Sequence, residues 1–243
     1  MKNLWKFVII GAAVVLSAAV LGYAYTYKYR CQNTVTVTGL GETEFTSDFI
    51  VWGGSLHVES RDVISGYAKI ESDRQKVLDY ITSKGIDPSS VVFQFVNVYE
   101  QTEPVYNAQG NYAGSRFKCY SLNQSFTIES KDVDKVENIS REISSLIAKD
   151  VSIDAQMPSY YYTGLDDVKL SLIEKASADA LARANNIVRN AGGRLGRVMS
   201  ARLGVFQITG ANTNEEFSAG GSFNTTNRNK KARVTIRVEY RVK

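Results

Sequence analysis

Apolar positions recur at steps of three and four over Leu165–Gly193: Val168, Leu172, Ala176, Ala180, Ala184, Ile187, Val188 and Ala191. That spacing is one face of an α-helix. Its lower half is mostly alanine, which lets a helix axis lie close against a sheet. Asp166 and Asp167 suit the positive end of the helix dipole, Arg183 and Arg189 the other end, and Gly192-Gly193 supplies a stop. Period-two alternation predicts strands at Thr34–Gly39, where Gly39-Leu40-Gly41 breaks the pattern, and at Ile50–Glu59. Arg61–Lys84 reads as a helix closed by Gly85, apolar Ile86 and then Pro88. Strands follow at Val91–Tyr99 and Phe117–Glu129, around a loop or loose hairpin at Glu103–Ser115. Ser130 can cap a helix over Asp132–Lys149, and Val151–Tyr162 is strand-like. After the long helix come a strand at Val198–Ile208, a polar Gly/Asn/Thr-rich loop at Thr209–Asn229 expected to be mobile, and a half-buried strand at Ala232–Val242. The order predicts an α+β fold: antiparallel or mixed sheet strands packed with three helices, one long and Ala-rich. No Pro/Gly/Ser linker divides residues 31–243, so they read as a single domain, compatible with pseudo-duplicated strand–helix halves.

The pattern differs at the N-terminus. Phe7–Tyr27 carries no charge and is long enough to cross a bilayer, with Lys2 and Lys6 before it. Tyr23, Tyr25, Tyr27 and Tyr29 cluster where such a helix would leave the membrane. Retention as a signal anchor over residues 1–30 is the favoured reading. Cleavage after Gly22-Tyr23-Ala24, releasing a periplasmic protein, is the competing one. Either way the bulk of the chain is expected outside the cytoplasm, tethered to a bacterial inner membrane in the first case.

That segment changes the meaning of the formal charge of +4. Lys2, Lys6, Lys28 and Arg30 hold the whole excess; the remainder has 25 basic and 25 acidic side chains. A nucleic-acid binder would carry a basic excess on its folded part, so nucleic acid is not expected as a partner. Cys31 and Cys119 fall in a compartment that permits disulfides. Pairing within a chain, pairing between chains and free thiols stay open, with free thiols favoured because a domain of this length needs no staple.

Candidate chemistry is sparse. His57 is the only histidine and lies on the polar face of its strand. A general base needs partners in reach, so a solvent-facing or lightly paired role is expected. Gly39-Leu40-Gly41 lacks the trailing glycine and the following helix of a phosphate loop, and Gly192-Gly193-Arg194-Leu195-Gly196 follows a helix rather than opening one. Gly53-Gly54-Ser55 sits within a strand pattern instead of a nucleophile elbow. No series has calcium-loop spacing and no CxxC pair occurs. Arg233, Arg237 and Arg241 share one face of the last strand and read as a solvated face, with contact to headgroups or a partner as the alternative. Tyr160-Tyr161-Tyr162 must place rings on both faces of a strand, part core and part interface. No catalytic, cofactor-binding or metal-binding residue is assigned, and no cofactor is expected.

The succession of TVTVTGLGE at Thr34–Glu42, Ile50-Val51-Trp52 with Leu56-His57-Val58, the helix ending Lys84-Gly85-Ile86, and Val91–Tyr99 leading to Pro104 and Tyr106 resembles the SIMPL-domain family. So do the strand Tyr120–Ile128, EKASADALARANNIVRNAGGRLG at Glu174–Gly196 and ARVTIRVEY at Ala232–Tyr240. The family comprises exported bacterial proteins, among them the periplasmic immunogenic antigens. The resemblance spans Thr34 to Val242; the long tyrosine-rich N-terminal segment and the two cysteines depart from it. It implies an α+β domain without established catalysis, links to envelope or oxidative stress tolerance, and, in some members, ring-like or channel-like oligomers. The expectation is therefore a non-enzymatic envelope protein that forms homo-oligomers. Two alternatives are a module that grips an envelope protein or wall polymer through Glu103–Ser115 and Thr209–Asn229, and a hydrolase with an unrecognised site.

Overall fold

The computed structural model describes residues 2–30, 33–216 and 218–243. Helix α1 (Lys2–Arg30) contains an exposed apolar stretch, Ile9–Tyr27, long enough to cross a membrane. Cys31 lies outside the described residues.

Two antiparallel or mixed sheets follow, each with helices on one face. The first holds β1 (Thr34–Thr46), β8 (Leu195–Leu203), β9 (Gln207–Gly210), β10 (Ser222–Phe223) and β11 (Asn229–Val242). Strand β11 is central, with β1 on one side and β8 and β9 on the other. Helix α4 (Leu165–Asn190) covers one face of this sheet. The second sheet holds β2 (Phe49–Ser60), β3 (Val91–Phe93), β4 (Asn97–Tyr106), β5 (Tyr112–Ser130), β6 (Ile153–Ala155) and β7 (Ser159–Tyr161). Helices α2 (Val63–Ser83) and α3 (Val133–Glu142) cover its inner face.

The helix ends follow from their sequences. The Asp62 carboxylate accepts from the Ser65 N–H at 2.8 Å and caps α2. Gly85 takes φ +84°, its N–H donates to Thr82 O, and the Ile86 N–H reaches Ile81 O. Gly192 and Gly193 repeat the arrangement on Arg189 O and Val188 O at the end of α4. Paired bonds of this kind satisfy the last carbonyls of a helix.

Alternation then decides what is buried. Ile50, Trp52, Leu56 and Val58 of β2 meet Leu122, Phe126 and Ile128 of β5 beneath Ile70, Val77 and Ile81 of α2. In the first sheet Val234, Ile236 and Val238 of β11 and Val37 of β1 pack beneath Leu172, Ala176, Ala180 and Ala184. The buried stripe of α4 runs in steps of four, ending at Val188; Ile187 and Ala191, which the periodicity also placed there, fall off its side and are exposed.

Four expectations need correction. β1 does not break at Gly39-Leu40-Gly41; it continues to Thr46 because those glycines face α4 within a ladder that runs unbroken beside β11. A Cβ on Gly39 would stand 2.1 Å from Ala176 O, and one on Gly41 2.2 Å from Leu172 O. Glycine here permits close helix–strand approach instead of ending the strand. The helix expected over Asp132–Lys149 is α-helical only to Glu142 and tightens to a 3₁₀ segment over Ile143–Lys149, closed by Asp150 at φ +58°. Ser130 does not cap α3 directly; its Oγ accepts from the Asp132 N–H. The strands expected at Val91–Tyr99, Val151–Tyr162 and Val198–Ile208 are each split in two.

Candidate functional site

The residues expected to carry chemistry are scattered. His57 lies on the outer face of β2, where Nδ1 is 2.8 Å from Asn123 Oδ1 and Nε2 is 3.8 Å from Glu59 Oε1. Its side chain is 43% exposed, on an open strand face rather than in a cleft. Gly53 and Gly54 are interior to β2 against Phe126. Cys119 is a buried free thiol. The tyrosine triplet joins the two sheets: Tyr160 is buried, Tyr161 lies 6.4 Å from the ring of Phe223, and Tyr162 lies 4.8 Å from Phe45.

What the structure does assemble is surface. Strand β5 pairs with β2 only as far as Ser60↔Tyr120. Beyond that point Gln101–Tyr106 and Tyr112–Cys119 pair with each other alone, through registers Gln101↔Cys119 to Tyr106↔Tyr112. The segment expected as a loop or loose hairpin is thus a two-stranded ribbon projecting past the sheet, turning at Asn107–Asn111. It exposes Val105, Tyr106, Tyr112 and Phe117, with Val98 and Tyr99 at its base. It is braced locally: the Tyr106 and Tyr112 rings sit 6.4 Å apart, Phe117 lies 5.0 Å from the ring of Tyr120, Tyr112 Oη is 2.8 Å from Ser115 Oγ, and Arg116 Nε donates to Glu103 Oε1 at 2.9 Å.

The outer face of the first sheet is also uncovered. Arg233 Nε lies 3.1 Å from Glu42 Oε2, and Lys231 Nζ lies 3.2 Å from Glu42 and 3.5 Å from Glu44. The expected row of solvated arginines is therefore paired at one end. Arg237 stands directly opposite Arg202 in the ladder, and the two border a groove of ≈ 370 Å³ with Thr36, Ser200 and Glu239. Leu40, Val205 and Thr235 help line a second groove of ≈ 390 Å³ on the same sheet.

Alternation read from Ala232 onward missed Lys230. The strand begins at Asn229, so Lys230 falls on the inward face with Ala232 and Val234 and is 1% exposed. Its Nζ donates to Asn224 O at 2.6 Å and Asn227 O at 2.7 Å. Burial pushes the ammonium down to about 8, with the Glu215 carboxylate acting in the opposite sense. The polar loop expected to be mobile is thereby tied to the sheet, and Asn224 Nδ2 adds bonds to Thr226 and Asn227.

Two helix-backed sheets with open outer faces, behind an apolar N-terminal helix, define an α+β protein, and among the described residues the candidate reactive side chains lie apart from one another. The chain belongs to the SIMPL family, a family of proteins of unknown function (DUF541), whose profile matches residues 35–242. No curated protein matches the chain at a significant level.

Proposed function

We propose that this protein is a membrane-tethered, self-associating scaffold of the bacterial envelope, held by α1 in the inner membrane with its sheets in the periplasm. The projecting ribbon carries the reading. An isolated two-stranded hairpin is marginal in water, and this one sets four large apolar side chains outward along its length. A second copy of the chain is the occupant the charges favour: the part beyond residue 30 is neutral overall, so copies do not repel one another. A scaffold of this kind acts by shape, which is how it would bear on stress tolerance without turning over a substrate.

The test replaces Tyr106, Tyr112 and Phe117 together by Ser and measures the mass of the detergent-solubilised chain by light scattering. The expected result is a fall from oligomer to single chains with unchanged circular dichroism. An oligomer of undiminished mass would refute the role of the ribbon. An unchanged monomer that nonetheless loses a bound envelope partner would favour the gripping-module reading.

A further inference from the structure

The first sheet has a near end and a far end relative to the bilayer. Arg30 ends α1 and Thr34 opens β1, so the chain can place no more than about 14 Å between them. Thr34 pairs with Arg241, and the Val242 N–H donates to Asn33 O at 2.8 Å. Arg194 and Lys243 exchange backbone bonds of 2.9 and 2.8 Å. The end of α4, the start of β8 and the end of β11 therefore meet at the edge of the sheet that leaves the anchor. The far end, at Thr46, continues into the second sheet.

Charge is divided along that axis. At the far end Glu42 and Glu44 neutralise Lys231 and Arg233. At the near end Arg189, Arg194, Arg197, Arg241 and Lys243 take part in no ion pair among the described residues; Arg189, Arg194, Arg197 and Lys243 are exposed, Arg241 partly so. Segments 189–203 and 234–243 contain a single acidic side chain, Glu239, which accepts from Ser200 Oγ at 3.1 Å. Unpaired like charges brought together at one rim repel, and burial does not hold them there. A surface of opposite charge would offset that repulsion. One lies within reach: headgroups extend some 7 Å beyond the hydrocarbon, leaving the rim about one Debye length away.

We propose that this rim docks on anionic phospholipid headgroups of the bilayer that holds α1, setting the first sheet against the membrane and leaving the ribbon of the second free. The proposal rests on the anchored reading of α1, and the experiment separates the two. The full chain is placed in nanodiscs of phosphatidylcholine alone or mixed with phosphatidylglycerol, and amide hydrogen exchange is followed over residues 192–197 and 241–243. With phosphatidylglycerol these amides should exchange at least about tenfold more slowly, an effect erased at about 1 M salt, where the Debye length falls to about 3 Å. The variant Arg194→Gln/Arg197→Gln/Arg241→Gln should weaken docking about a hundredfold, at about fivefold per basic residue near an anionic surface. The Lys equivalents should retain it, and all variants should share the parent's unfolding midpoint.

Equal exchange rates in the two discs, with the chain still embedded, would overturn the rim and leave the anchor standing. A chain that separates from neutral discs yet stays with anionic ones would uphold the rim and overturn the anchor.

Discussion

Gly41 illustrates how one hydrogen atom sets the packing of a layer. A methyl group there would meet Leu172 O, a backbone atom that cannot swing aside, so α4 would have to lift from β1. Gly41→Ala should therefore cost about 3 kcal/mol, the upper range for overpacking, measured by urea unfolding. Lys230 acts through protonation. Its unfolded value is 10.5 and its folded value about 8, so above pH 8 the unfolded chain binds more protons than the folded one. Stability then rises with pH until the lysine is neutral in both states. Tyr160 and Tyr240, whose phenols burial pushes up, contribute stability that is lost as pH climbs past their unfolded value of 10.0. Between pH 8 and about 9.5 the lysine dominates, and Lys230→Met should remove the rise in urea midpoint across that window. The role of neither Gly41 nor Lys230 was legible in the sequence. Gly39 and Gly41 read as a break because a glycine that ends a strand and one that admits a helix look alike in one dimension. Lys230 was hidden because a charged residue beside Asn229 and Lys231 reads as solvated.

Elements with strong periodicity were legible. The stops of α2 and α4, the alternation of β2 and β11, and the alanine stripe were all written in local spacing, since each depends on contacts with one neighbouring layer. The projecting ribbon was legible in part: a loose hairpin was one of the two readings of Glu103–Ser115, but its paired length was hidden. Pro104, Gly110 and Gly114 left a loop equally open, yet the strand runs through Pro104 because β4 lies at an edge where a missing N–H costs little. The edge of β1 is handled differently. The Leu40 N–H donates to Asp179 Oδ2 at 2.8 Å, and Lys175 Nζ approaches Glu42 O at 3.5 Å, so α4 occupies part of the edge that could otherwise recruit a strand. The Arg183 guanidinium, then that same N–H, lower the Asp179 carboxyl from its ordinary value.

Across the molecule, the two sheets are tied at the passage from β1 to β2. Ser47 N–H donates to Arg228 O, Asp48 N–H to Tyr161 O, and Tyr160 N–H to Thr225 O, at 2.9, 3.1 and 2.7 Å. The Arg228 side chain pairs with Asp134 and, at 3.1 Å, with Glu137 of α3. Arg228→Gln should speed hydrogen exchange at Ser47, Asp48 and Tyr160 while leaving the interior of each sheet unchanged. For the scaffold proposed above, a stiff joint would fix the angle between the first sheet and the ribbon. The most direct test of the account is the mass of the intact chain, solubilised with α1 in place and followed over a wide concentration range. A self-associating scaffold gives one closed assembly of several chains that persists on dilution; a single chain at every concentration would rule it out.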